Sequence, residues 1–90
     1  MQTIHVRVEG RVQGVFFRDY TRSQALELNL KGWVRNLSDG SVEAVISGRD
    51  EDVALLLKRI RTGSPHSRVD DVQIRRLDSD ETLPSFEIRY

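Results

Sequence analysis

Across Gly10-Arg11-Val12-Gln13-Gly14-Val15-Phe16-Phe17-Arg18 the apolar spacing changes period, and this change constrains the fold of the 90-residue chain more than any other feature. Before it, Ile4, Val6 and Val8 alternate with Thr3, His5, Arg7 and Glu9. That alternation predicts a strand with one buried and one wet face. After it, Phe17, Thr21, Ala25 and Leu28 fall four, four and three apart. This is the buried stripe of a helix expected from about Arg18 to Leu28, with Leu26 on its exposed side. Asn29 is suited to end that helix in a left-handed conformation, with Leu30 packed back on the last turn. The stretch between strand and helix is therefore a connection bounded by glycines, whose backbone can approach a ligand closely.

The same logic carries through the rest of the chain. Lys31 to Leu37, containing Trp33 and Val34, and then Val42, Ala44 and Ile46 read as two strands. Asp39-Gly40 between them is a hairpin turn signal. Gly48-Arg49-Asp50 leaves the hairpin, and Val53, Leu56, Leu57 and Ile60 then follow the spacing of a second helix. Asp50, Glu51 and Asp52 lie in its first turn and Lys58, Arg59 and Arg61 in its last, as the helix dipole favours. Gly63 and Pro65 stop it.

A fourth strand is expected near Val69 to Leu77, with Val72 and Ile74 inward, and then a polar turn from Asp78 to Thr82. Phe86, Ile88 and Tyr90 alternate in a last short strand, which Pro84 suggests is an edge. The order β-α-β-β-α-β plus a terminal strand, joined by right-handed crossovers, places both helices on one face of an antiparallel sheet. The expectation is a ferredoxin-like α+β sandwich, a single domain over residues 1–90. Such a fold hosts many functions, so the chemistry must come from particular residues.

Composition removes several classes of function. With 14 basic and 14 acidic side chains the formal net charge is zero, which argues against a general affinity for nucleic acid or anionic membrane but allows a local basic pocket. The absence of cysteine excludes disulfides, thiolate metal sites and cysteine nucleophiles. The N-terminal residues lack an apolar signal core, and the longest aliphatic run is Val53-Ala54-Leu55-Leu56-Leu57. A signal peptide and a membrane span are therefore not expected, and the cytoplasm is the default location. His5 on the wet strand face and His66 in a loop have no metal-ligand spacing and are expected to be solvated. Arg59-Ile60-Arg61 and Arg75-Arg76 are expected to be solvated faces. Asp70 and Asp71 point to opposite sides of a strand and cannot easily form a general acid–base pair.

Two positions invite chemistry. Loop amides turned inward at a helix N-terminus form an anion-binding concavity, and Arg18 adds a guanidinium fork suited to phosphate. The alternative is a tight connection ending in a surface arginine. Against that, an arginine in the first turn faces the positive end of the helix dipole, only partly offset by Asp19. No Ser, Thr, Asp or Asn precedes the helix to cap its free N–H groups. Uncapped donors beside a cation make sense if an anion completes the site. The stretch lacks the Gly-Lys-Ser/Thr of a nucleotide-binding loop. Asn36, closing the second strand, is either an ordinary asparagine beside a turn or a neutral amide able to orient a water near the first loop.

Gly10-Arg11-Val12-Gln13-Gly14-Val15-Phe16-Phe17-Arg18, Gly32-Trp33-Val34-Arg35-Asn36 and Asp39-Gly40-Ser41-Val42-Glu43 together closely resemble the acylphosphatase family. The resemblance runs over nearly the whole chain, including Val69-Asp70-Asp71-Val72. It implies the same ferredoxin-like fold and hydrolysis of acyl phosphates to a carboxylate and inorganic phosphate. By the same resemblance Gln13, Gly14, Val15, Phe16 and Phe17 supply the phosphate cradle, Arg18 grips the phosphate, and Asn36 positions the attacking water. Asn29 departs from the glycine that many members carry, which bears on helix termination and not on the site. A weakly basic carboxylate leaving group needs little protonation, which fits a site without a general acid, metal or other cofactor. The expected partners are a small-molecule acyl phosphate and inorganic phosphate, the latter as product and competitive inhibitor. Nucleic acid and membrane are not expected partners, and the chain is expected to be a monomer. The alternatives are a non-catalytic phosphate-binding or regulatory module and an RNA-binding sheet. The latter needs aromatic side chains on the open face, where the first strand offers His5 and Arg7 and the third Glu43, Val45 and Ser47.

Overall fold

Alternation carries strand β1 from Gln2 to Arg11, with Ile4, Val6 and Val8 buried on one side. The computed structural model describes residues 1–78 and 83–90, so the expected polar turn at Asp78 to Thr82 lies largely outside the described residues. After β1 come α1 (Phe17–Glu27), β2 (Lys31–Asn36), β3 (Val42–Gly48), α2 (Asp50–Thr62), β4 (Arg68–Leu77) and β5 (Glu87–Arg89). The sheet order is β4-β1-β3-β2-β5.

The first four strands pair antiparallel as expected. The fully antiparallel sheet needs one correction, because β5 runs parallel to β2. Strand β4 ends at the end of the sheet where β2 begins, and the chain enters β5 from that same end, so β5 lies parallel to β2. Its position at the sheet edge agrees with the expectation from Pro84.

Both helices bury their predicted stripes. Phe17, Thr21 and Ala25 of α1 and Val53, Leu56 and Ile60 of α2 are buried, and Leu28 and Leu57 pack partly against the core. The end of α1 follows the sequence closely. Asn29 takes φ 57°, Asn29 N–H donates to Leu26 O at 3.1 Å, and Leu30 N–H donates to Ala25 O at 2.9 Å. Leu30 is buried behind this left-handed cap.

Three surface expectations change on folding. Arg59 is not simply a solvated face: its Nη1 donates to Gln24 Oε1 at 2.7 Å, and its carbonyl accepts from Tyr20 Oη at 3.3 Å, tying α2 to α1. His5 is half-buried, with Nε2 2.8 Å from Glu43 Oε2, because Glu43 sits between β1 and β2 on the open face. Arg35 Nε donates to the other oxygen of Glu43 at 2.5 Å. Burial opposes ionisation of Glu43, but the hydrogen bonds from His5 and Arg35 outweigh it and hold the carboxyl below its ordinary value. Ile74 is register-paired with Val6 and so shares the inward face, yet it is 43% exposed on the edge strand β4.

Candidate active site

The two glycines of the first motif serve different ends. Gly10 lies within β1, at a register shift after Glu9. It has φ 133°, and a Cβ there would lie 2.1 Å from Arg68 O of β4. Its close approach is thus to a neighbouring strand, not to a ligand. Gly14 has φ 72° and open space where a side chain would begin. The loop proper is Val12 to Phe16, five of the nine residues of the motif.

Phe16 caps α1 in the left-handed conformation, φ 59° and ψ 25°, with no side-chain cap. The first helical hydrogen bond runs from Tyr20 N–H to Phe16 O at 3.0 Å. The amides of Phe17, Arg18 and Asp19 therefore have no acceptor within the helix.

Two side chains fix the loop from opposite directions. Gln13 Nε2 donates to Leu37 O and to Ser41 O, both at 2.8 Å. The Gln13 side chain is thus occupied with the β2–β3 hairpin, leaving its backbone to the loop. Ser64 is buried in the α2–β4 connection, and its Oγ donates to Val15 O at 3.3 Å. Nothing local in the sequence announces these bonds, since the partners lie 24, 28 and 49 residues apart.

The hairpin that receives Gln13 is itself well tied. Leu37 N–H donates to Ser41 O at 2.8 Å. Asp39 Oδ1 accepts from Ser41 N–H at 2.9 Å and Ser41 Oγ at 2.5 Å. Arg7 Nη2 donates to Asp39 Oδ2, and Arg7 Nε donates to Ser41 Oγ at 3.3 Å. The hydroxyl and amide of Ser41, then Arg7, hold the Asp39 carboxyl down at about 2.

Arg18 is the second residue of α1 and is half-buried. Its guanidinium lies over the ring of Tyr90, 4.9 Å from the centroid. A concavity of about 340 Å³ opens here, walled by Gly14, Phe16, Phe17 and Arg18 together with Ile88 and Tyr90. Tyr90 is a neighbour that sequence periodicity could place on a strand but not beneath a particular arginine.

Asn36 closes β2 outside the wall of that concavity. It is register-paired with Val42, which is paired with Val8. Both valines are buried in the core, so Asn36 faces the helix side of the sheet. Its Oδ1 is buried and has no hydrogen-bond partner among the described residues. The β2–β5 register pairs Val34 with Ile88. The pairing ends with Arg35 opposite Arg89, so Asn36 and Tyr90 each follow the last pair, and the ring of Tyr90 lies under Arg18. Gly14, Phe16, Phe17 and Arg18 therefore meet at the concavity, Gln13 and Val15 anchor the loop, and Asn36 stands at the adjoining strand end.

Among the described residues no three His, Cys, Asp or Glu side chains converge as a metal site, and no helix is long and apolar enough to cross a membrane.

The acylphosphatase family model matches residues 4–88. An acylphosphatase from Syntrophobacter fumaroxidans is 48% identical over 96% of this chain and 89% of its own. The crystal structure of acylphosphatase from Bacillus subtilis aligns with a TM-score of 0.96 at 36% identity, with 100% of both chains covered. An acylphosphatase structure from Coxiella burnetii aligns at 0.90 with 40% identity, covering 98% of this chain and 92% of that one. Sequence and backbone agree over nearly the full length, and the chain therefore belongs to the acylphosphatase family.

Proposed function

We propose that the protein hydrolyses acyl phosphates, binding the phosphoryl group where the Gln13–Phe17 loop meets the N-terminus of α1. The observation that carries this proposal is the uncapped start of α1, bearing Arg18, at the concavity walled by the loop, with the buried Oδ1 of Asn36, unpartnered among the described residues, on the helix face of β2. A buried acceptor without a partner is costly, and one beside an anion site has a use for a water. The loop amides and the Arg18 fork hold the phosphoryl oxygens and neutralise the charge that develops on them. Asn36 Oδ1 accepts a hydrogen bond from a water and aims its oxygen at phosphorus, opposite the leaving group. The new P–O bond forms from water as the bond to the acyl oxygen breaks. The acyl oxygen leaves as a carboxylate, and a phosphate oxygen takes the water's proton. Arg18 and Asn36 are the catalytic residues, and inorganic phosphate is both product and competitive inhibitor. The loop, Arg18 and Asn36 come from one chain, in keeping with a monomer, and the cytoplasm is the proposed setting.

Hydrolysis of benzoyl phosphate by the wild type and two variants tests this. Arg18→Ala should lower kcat/KM by about 10²-fold or more and abolish inhibition by phosphate, since no neighbouring group replaces a bidentate cation. Asn36→Ala should lower kcat by a similar factor while phosphate still inhibits. Wild-type turnover in Asn36→Ala would remove the water-positioning role, and phosphate binding without turnover in the wild type would favour a non-catalytic module.

A further inference from the structure

We propose that Phe16 and Tyr90 form an acyl-group subsite, so that the preferred substrates are acyl phosphates with an aromatic or bulky apolar acyl group. This rests on the hydrolase proposal above and adds what lies beyond the phosphoryl group. Phe16 is 77% exposed and Tyr90 is 98% exposed. Both residues line a concavity that also contains Arg18, together with Ile88. An exposed phenylalanine in a left-handed conformation is doubly unfavourable, because it wets an apolar ring and strains the backbone of a residue with a Cβ. Asparagine or glycine would cap the helix there without either cost. Exposed aromatics collected at one site mark a surface that acts by being covered.

The dimensions agree. The concavity of about 340 Å³ is in the range of small-molecule pockets of ~300–1,000 Å³ and exceeds what one phosphoryl group needs. Phosphate bound at the loop amides and Arg18 leaves the acyl group directed along the rim. There Phe16 and Tyr90 offer faces for stacking and Ile88 an aliphatic contact. Tyr90 also lies under the guanidinium of Arg18, so one ring borders both the charged and the apolar part of the substrate. A methyl group would cover little of this rim, whereas a phenyl ring would cover much of it.

The test is the ratio of kcat/KM for benzoyl phosphate to that for acetyl phosphate. Phe16→Gly removes the ring and accepts the left-handed backbone, so it keeps the loop conformation; Tyr90→Ala removes the second ring. The wild-type ratio should exceed tenfold, and each variant should lower it about fivefold, equivalent to about 1 kcal/mol. A calorimetric comparison of phenylphosphonate with methylphosphonate needs no turnover: the wild type should bind the phenyl compound more tightly, and both variants should lose that advantage. Equal ratios in wild type and variants, or equal affinity of the wild type for the two phosphonates, would overturn the subsite. Preference for phenylphosphonate without hydrolysis of either acyl phosphate would uphold the subsite and remove only the hydrolase proposal.

Discussion

Replacing Gln13 by methionine keeps the length and bulk of the side chain and deletes both hydrogen bonds from its amide to the hairpin. The cost follows from what the two carbonyls keep. Leu37 O still accepts from Gly40 N–H at 3.3 Å, and Ser41 O still accepts from Leu37 N–H at 2.8 Å. Neither carbonyl is left without a partner, so the loss is the net value of two ordinary hydrogen bonds. At about 0.5–1.5 kcal/mol each, that is about 1–3 kcal/mol in total. For a domain of this size the melting temperature should fall by about 5–20 °C.

Function should suffer more than stability accounts for. The lost bonds directly tie the loop to the hairpin that follows Asn36, and a displacement of about 1 Å between reacting groups can cost ~10²-fold in rate. Gln13→Met should therefore lower kcat tenfold to a hundredfold at a temperature where the variant is fully folded, with a smaller change in phosphate inhibition. Gln13→Glu supplies a sharper signature. A protonated glutamic acid can donate one of the two bonds, and an ionised one donates none and faces two carbonyl oxygens. Its activity should fall as pH rises through the carboxyl pKa, which starts near ~4.3 and is pushed up by this setting. Urea melts and pH–rate profiles of the wild type and both variants decide the matter. A Gln13→Met protein that melts early yet turns over at the wild-type rate would refute the positioning argument.

Two further tests address the scaffold. Asp39 has its carboxyl lowered from 3.8 to about 2 in the folded protein, so its contribution to stability is fully present above pH 4 and is lost as pH falls toward 2. Urea midpoints should show Asp39→Asn less stable than wild type at pH 6, with the gap narrowing by pH 2.5; a gap independent of pH would refute the linkage. Gly10→Ala places a Cβ against Arg68 O of the neighbouring strand at a φ of 133°, and should cost about 3 kcal/mol or more by equilibrium unfolding. A neutral result would show that β4 yields at that point.

Periodicity and the turn residues between the periodic stretches were enough for the elements and their order. Ile4, Val6 and Val8 against Phe17, Thr21 and Ala25 separate strand from helix, and the left-handed stop at Asn29 follows from local chemistry that the backbone obeys within a few residues. The long motifs pointed to the family in the same way, because they are contiguous in sequence. Long-range partnerships were not legible. Gln13 reads as one more residue of a phosphate loop, yet its side chain reaches a hairpin 24 residues away. Gly10 reads as part of the same loop, yet its missing Cβ makes room for a strand that enters the sheet last but one. His5 and Arg59 read as solvated, yet each has a partner on another element. Apolar patterning sets which face of an element is buried, since burial depends on spacing within that element. Which polar atoms meet depends on the order and direction of strands across the sheet, and only the folded chain brings Tyr90 beneath Arg18 and buries the oxygen of Asn36 with no partner among the described residues.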